Sequence, residues 1–345
     1  MSARREWPGW DPRKGTGRGG RVLRILVVCG VVAALTLAGM AVGGVWWATD
    51  HYGDRVARIP HAFPTGPRPP ASARHDDGTT FLIAGVDSRS KRPTTGTDAT
   101  ARLWTYGAQR SDTLMLIHLA PGKGSASVLS IPRDSWVPIS GHGSAKINAA
   151  FSWGGPPLLI RTVEQLTRTR IDHFGVIDWH GFKSLTDAVG GVPVTVEGTS
   201  YDPELHHRFT AGTHLMNGDE ALAYVRQRHG VPGGDLARIQ RQQRFLRALL
   251  TRVRGNVSIT DPLRTSRTLD AVTRTVSVDD RMSNGDLRDL VMGLRRLGAD
   301  DTHFTTAPVV RADWVGRQSV LILDRAKLRA RWRAVEAGQP SGRRK

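Results

Sequence analysis

Residues 111–134 read SDTLMLIHLAPGKGSASVLSIPRD, two apolar runs on either side of a glycine-containing turn. Thr113–Leu119 and Ser127–Ile131 are apolar runs of strand length, and Pro121-Gly122-Lys123-Gly124 between them is a turn signal. Phe81–Val86, just upstream, is a third such run. Downstream, Leu158–Thr169 reads as a helix, His173–Asp178 as a strand, Gly181–Val189 as a helix, and Val192–Val196 as a strand after Gly190-Gly191. Asn217 opens a helix, with Glu220 three residues on completing a capping-box pattern. Asp235 reads as the cap of a long helix, Leu236–Arg254. Helices over 261–274, 284–296 and 324–337 and a strand near His303–Ala307 complete the pattern. Strands interspersed with helices predict an α/β fold, an α/β/α sandwich with a central mixed sheet.

Three polar residues fall at corresponding ends of the first three strands. Asp87 follows the first, Asp112 precedes the second, and Arg133 follows the third. Strands running up, down, up as neighbours would gather all three at one sheet edge. Two carboxylates there suit Mg2+, which takes one or two carboxylates plus water and phosphate oxygens. They equally suit turn and cap positions.

A second cluster is Tyr224-Val225-Arg226-Gln227-Arg228-His229. On a helix Arg226 and Arg228 would diverge, whereas on extended chain they share a face. A helix ending near Val225 would therefore project both guanidinium groups together, a pairing that suits a diphosphate. A solvated basic edge is the alternative. In the third cluster Asp235, Arg238 and Gln242 are spaced i, i+3, i+7 and form one polar stripe. It continues into Phe245 and Leu249, as either an apolar groove or core.

The chain has 345 residues, with 49 Lys+Arg against 31 Asp+Glu and a formal net charge of +18. Its hydrophobic content of 39% supports a folded core and excludes a wholly disordered or collagen-like chain. A single cysteine, Cys29, excludes an intrachain disulfide and zinc sites built on two or more thiolates. Ile25–Trp47 carries no charge and follows Arg4, Arg5, Arg13, Lys14, Arg18, Arg21 and Arg24. That pattern predicts an uncleaved membrane anchor over 25–47 with a cytoplasmic basic tail over 1–24. The run is too long for a signal peptide's apolar region. Five prolines between Pro60 and Pro70 mark 48–78 as an extracytoplasmic linker. A catalytic domain over 79–337 and a tail over 338–345 follow.

The segments Gly85-Val86-Asp87-Ser88-Arg89, Arg110-Ser111-Asp112-Thr113 and Ser130-Ile131-Pro132-Arg133-Asp134 resemble the LytR-CpsA-Psr family of cell-envelope phosphotransferases. So do Lys146-Ile147-Asn148-Ala149-Ala150, Asp187–Val192, Leu222–Arg228 and Asp235–Gln243, in the same order over roughly residues 80–255. The resemblance implies a membrane-bound, extracytoplasmic enzyme. Such an enzyme moves an anionic glycopolymer from a polyprenyl diphosphate carrier onto peptidoglycan, with Mg2+ as cofactor. By position, Asp87 and Asp112 would hold the metal. Arg133, Arg226, Arg228 and Arg238 would clamp the diphosphate, supported by Arg89, Arg110 and Gln242. Lys146 would face the phosphate or the acceptor, and Asp235 would orient the arginines or move a proton. Leu158, Leu159, Val163, Leu166, Phe245 and Leu249 are candidates for a prenyl groove or for core.

The same residues also fit a polyprenyl diphosphate pyrophosphatase, with water in place of the sugar hydroxyl. The charge of +18 alone fits a membrane-tethered transcriptional regulator. However, 42 basic and 29 acidic residues lie beyond the first 24, on the side expected to face outward, where envelope polyanions and lipid are the partners rather than nucleic acid.

Overall fold

The computed structural model describes residues 50–337 except 72–77, 89, 121–123, 232, 257–260 and 297–300. The basic tail, the anchor over 25–47, the tail over 338–345 and Arg89 lie outside the described residues. Among the described residues no helix is long and apolar enough to cross a membrane.

In chain order the strands are β1 Ala57–Ile59, β2 Thr79–Asp87, β3 Arg110–Leu119, β4 Ala126–Ser130, β5 Trp136–Ile139, β6 Gly143–Lys146 and β7 His173–Asp178. They continue as β8 Val192–Val196, β9 Ser200–Asp202, β10 His207–Phe209, β11 Gly212–Met216, β12 Val276–Asp279, β13 Thr302–Thr306, β14 Val309–Val315 and β15 Gln318–Leu323. The helices are α1 Asn148–Thr167, α2 Trp179–Ala188, α3 Gly218–Arg226, α4 Gly234–Asn256, α5 Pro262–Thr275, α6 Asn284–Arg296 and α7 Arg325–Glu336.

Among the described residues, seven strands form one mixed sheet in the order β1-β12-β7-β2-β3-β4-β13. The central β2, β3 and β4 are antiparallel neighbours, up, down, up as the sequence predicts. β7 joins β2 in parallel, and β13 joins β4 in parallel. The central strands are apolar on both faces because both are covered. Leu82, Ala84, Val86, Leu114 and Leu116 enter one core with Leu159, Ile160 and Val163 of α1 and with Leu328 and Trp332 of α7. Phe81, Ile83, Ile117 and Leu119 face a second core with Leu287 and Leu290 of α6. Helices thus lie on both sides of the sheet, the sandwich expected. A third core joins helices α2 to α5 with the antiparallel β8–β11 pair.

Three local expectations differ from the structure. The chain at 48–78 is more than a linker. β1 pairs with β12, Phe63 is buried, and Arg68 pairs with buried Glu164 at 2.6 Å. A three-residue edge strand and one buried ion pair leave no periodic signature. Helix α1 is two helical segments joined at a kink, because Gly154 and Gly155 leave helical geometry; the second segment matches the helix read from Leu158, and the first, from Asn148, lies outside that reading. Gly155 has φ +59, and a Cβ there would meet the Trp104 ring at 3.1 Å, so glycine suits that bend. Asp235 lies in the first turn of α4 and does not cap it. By contrast, the Asn217–Glu220 capping box of α3 is formed in both directions, each bond 3.0 Å.

Candidate active site

The register between β2 and β3 breaks at one point. Gly85 faces Thr113 and Val86 faces Ser111, so Asp112 is an extra residue on β3. Such a bulge re-aims a side chain. Asp87 ends β2 opposite Arg110. Arg133 lies in the turn after β4, held by bonds from the Ser135 N–H and hydroxyl to the Pro132 carbonyl at 3.0 and 2.6 Å. From that turn Arg133 Nη1 reaches Asp112 Oδ1 at 2.5 Å. The sheet-edge convergence expected from strand order is therefore present.

Helix α3 ends at Arg226, and Gln227 turns extended, with φ −53 and ψ 128. Gln227 is buried and bonds Ser200 and the His229 carbonyl, while Arg226 and Arg228 flank it on one cavity. Buried Asp202 fixes this turn. Its Oδ2 accepts the Arg228 and His229 N–H at 3.0 and 3.1 Å, and its Oδ1 accepts the Glu204 and Leu205 N–H at 3.0 and 3.2 Å. Burial pushes the Asp202 carboxyl up, but these bonds pull it further down, so it is held below the usual range.

Asp87, Asp112, Arg133, Arg226, Arg228, Arg238 and Gln242 line one cavity of about 170 Å3, together with Trp179, Asp202, Glu204, Leu205 and Val225. The Arg226 guanidinium sits 5.8 Å from the Trp179 ring centre. Arg133 and Arg228 also border an adjoining cavity of about 810 Å3. Its walls include Arg110, Asp134, Lys146, Asn148, Trp153, Asp235 and residues 318–321. Asp235 contacts Arg238 at 3.0 Å and Arg228 at 3.5 Å. Lys146 pairs with Asp134 at 2.8 Å. Of the sequence-derived set, only Arg89 lies outside the described residues. Gln242 lines the small cavity, yet its Nε2 is 3.4 Å from the Val225 carbonyl, so it also ties α4 to α3.

Burial opposes the charge on Arg133, but Asp112, Asp134 and Asp235 outweigh it and its pKa is raised. Burial also opposes ionisation of Asp134, but Lys146, Arg133 and Arg238 leave its carboxyl lowered. Arg238 goes the other way. Burial, with Arg133 and Arg228 nearby, outweighs Asp235 and brings its pKa down to about 10. It remains a cation at neutral pH, one whose charge the protein compensates incompletely. Arg133 Nε lies 3.5 Å from Asp134 without a hydrogen bond, and Arg238 Nε also has none, although both atoms are buried. Buried donors without acceptors are costly unless something supplies oxygen atoms.

Asp202, Asp134 and Trp179 were absent from the sequence-derived site. Asp202 in Tyr201-Asp202-Pro203-Glu204 carries a turn signal only, and Asp134 sits inside the Pro132-Arg133-Asp134 motif. The six groove candidates do not line either cavity. Leu159, Val163, Leu166 and Phe245 are buried in the cores, and Leu158 and Leu249 pack against them.

The profile of the LytR_cpsA_psr family matches residues 60–337. The cell wall biosynthesis protein LcpA of Corynebacterium glutamicum is 32% identical, over 72% of this chain and 54% of the relative. A polyisoprenyl-teichoic acid–peptidoglycan teichoic acid transferase, TagU, of Halalkalibacterium halodurans is 38% identical, over 59% of this chain and 61% of the relative. The chain therefore spans little more than half the length of these curated relatives. Among solved structures, protein gbs0355 from Streptococcus agalactiae superposes with a TM-score of 0.64 at 24% identity, over 79% of this chain and 93% of that one. The likeness extends to the fold.

Proposed function

This chain belongs to the LytR_cpsA_psr family, and on that premise we propose that it is an extracytoplasmic phosphotransferase of cell wall assembly. It moves an anionic glycopolymer from a polyprenyl diphosphate carrier onto peptidoglycan. The anchor over 25–47 would hold it in the membrane with the catalytic domain outside. The names of its relatives support this class of reaction. The observation that carries it is one small cavity with Asp87, Asp112, Arg133, Arg226, Arg228 and Arg238 on its walls.

The donor is a diphosphate ester. Arg133, Arg226, Arg228 and Arg238 bind its oxygens. Phosphoryl transfer is catalysed mainly by positioning and by charge on the phosphoryl oxygens. The acceptor hydroxyl oxygen bonds to the phosphorus next to the glycan. The bond from that phosphorus to the bridging oxygen breaks, and polyprenyl phosphate leaves with the electron pair. The larger cavity, sharing Arg133 and Arg228 with the small one, is the path for the acceptor sugar. Its carboxylates Asp134 and Asp235 are placed to accept the hydroxyl proton or to hold the arginines that surround the phosphate.

The donor set fits Mg2+. Asp87 and Asp112 share the small cavity, both are hard oxygen ligands, and Arg133 is bonded to only one Asp112 oxygen. Among the described residues no cluster of three or more His, Cys, Asp or Glu forms a cage. A two-carboxylate site is what Mg2+ uses when water and substrate phosphate complete its shell. Charge balance supports this. The walls of the two cavities carry Arg110, Arg133, Lys146, Arg226, Arg228 and Arg238 against Asp87, Asp112, Asp134, Asp202, Glu204 and Asp235. A diphosphate adds negative charge to that balance, and a divalent cation offsets it. When bound, Mg2+ would neutralise charge developing on the phosphoryl oxygens.

The test is transfer from a polyprenyl diphosphate-linked glycan to peptidoglycan oligomers by the full-length chain, with products analysed with and without acceptor. A glycan–peptidoglycan phosphodiester supports the reading. Release of the glycan phosphate at equal rate in both arms would replace it with hydrolysis.

A further inference from the structure

A third concavity, of about 560 Å3, lies between β8 and the C-terminal half of α4. Arg244, Arg247 and Arg252 of α4 and Arg264 of α5 line it, beside Val194 and Ala248. None of its described lining residues is Asp or Glu, whereas the catalytic cavities balance arginine with carboxylate. Along α4, Arg252 lies 14 positions beyond Arg238, about 21 Å at helical rise, so this groove is distinct from the diphosphate site.

Two of its guanidinium groups are held in place without being neutralised. Arg252 Nε donates to the Val189 carbonyl and Nη2 to the Gly190 carbonyl, both at 3.1 Å. Arg247 is exposed, sits 5.1 Å from the centre of the Phe304 ring, and has no carboxylate partner among the described residues. Arg244 and Arg264 pair with Glu197 and Asp261 at 2.6 and 3.6 Å, but neither acid lines the groove. Scattered arginine is ordinary in so Arg-rich a chain. Here two arginines without a carboxylate partner among the described residues, Arg247 and Arg252, the latter fixed by main-chain carbonyls, face one concavity whose described lining holds no Asp or Glu, which leaves it net positive.

We propose that this groove is a second anion-binding site that takes phosphodiester groups, presented either along a polymer or at a lipid surface. Arginine forks match phosphate oxygens two at a time. The apolar Val194 and Ala248 leave room for the carbon skeleton between phosphates. The proposal does not depend on the catalytic reading.

The experiment uses the full-length chain in a neutral detergent, with a labelled poly(glycerol phosphate) oligomer as one probe. The other probe is mixed phosphatidylglycerol–phosphatidylcholine vesicles, against phosphatidylcholine vesicles alone. Arg247→Gln with Arg264→Gln is expected to weaken binding about tenfold per arginine, the size of a lost charge-assisted contact. Arg331→Gln, at an exposed arginine of α7 that lines none of the three cavities, is expected to leave that binding unchanged. Loss confined to the oligomer assigns the groove to a polymer, and loss confined to the anionic vesicles assigns it to lipid headgroups. The proposal is overturned if neither probe binds the wild-type chain. It is equally overturned if the double variant binds both probes as the wild type does, or if Arg331→Gln weakens binding as much as the double variant does. Circular dichroism establishes that the variants are folded, and Arg247→Gln alone, at an exposed side chain, serves should the pair unfold.

Discussion

Arg133 Nη1 lies 2.5 Å from Asp112 Oδ1, joining the turn after β4 to the bulge in β3 across 21 positions of chain. The pair couples the proposed phosphate clamp to one of the proposed metal carboxylates. Arg133→Ala is expected to lower transfer by about 10³-fold, the scale of a lost transition-state arginine. Single-turnover transfer measures it, and a variant within a few-fold of wild type would place the clamp elsewhere.

Removal of divalent cation by chelator is expected to stop transfer, and Mg2+ to restore it. In Asp87→Ala with Asp112→Ala the residual rate should no longer respond to Mg2+. A titration of rate against Mg2+ for both proteins checks this. An unchanged Mg2+ response in the double variant would move the ion to other ligands.

Asp235 bonds both Arg228 and Arg238. Asp235→Asn should release the two guanidinium groups and cost about 10²-fold in kcat through misplacement alone. The pH–rate profile separates the two roles open to Asp235. A loss that is uniform across pH identifies positioning, whereas loss of an acid-side limb identifies proton transfer.

Asp202 accepts four main-chain N–H groups beneath the Arg226–His229 turn. Asp202→Ala leaves those donors without their acceptor and is expected to destabilise the fold by about 1–3 kcal/mol. Denaturant unfolding measures the change. Transfer should fall at the same time, because Arg226 and Arg228 lose their support.

His173 bonds Asp279 at 3.2 Å, linking β7 to β12. Burial lowers its pKa, but Asp279, Asp286 and Asp172 raise it further, so the folded value lies above the usual 6.5. The folded state then binds the proton more tightly than the unfolded state. Its stabilisation is complete below pH 6.5 and is lost as pH rises through the folded value. Melting temperature should fall over that window, and His173→Gln should flatten the dependence.

How much was legible follows from range. The strands 81–86, 113–119 and 173–178 carry apolar runs, and Asn217-Gly218-Asp219-Glu220 carries its own cap, so each could be read within a few residues of its neighbours. The spacing of Arg226 and Arg228 held as well, because it depends only on where α3 stops. β1 and the pairing of Arg68 with Glu164 depend on partners about 100 or more positions away, and no local window contains them.

The α/β class, the antiparallel order of the first three strands and the placing of Asp87, Asp112 and Arg133 at corresponding strand ends could be read from the chain alone, because they rest on short-range periodicity and turn residues. Tertiary packing alone aims Asp112 at Arg133 through a bulge, sets Asp202 under the arginine turn and brings Arg247 and Arg252 to one concavity. Those are contacts between side chains brought close by packing, and packing is fixed by the whole chain at once.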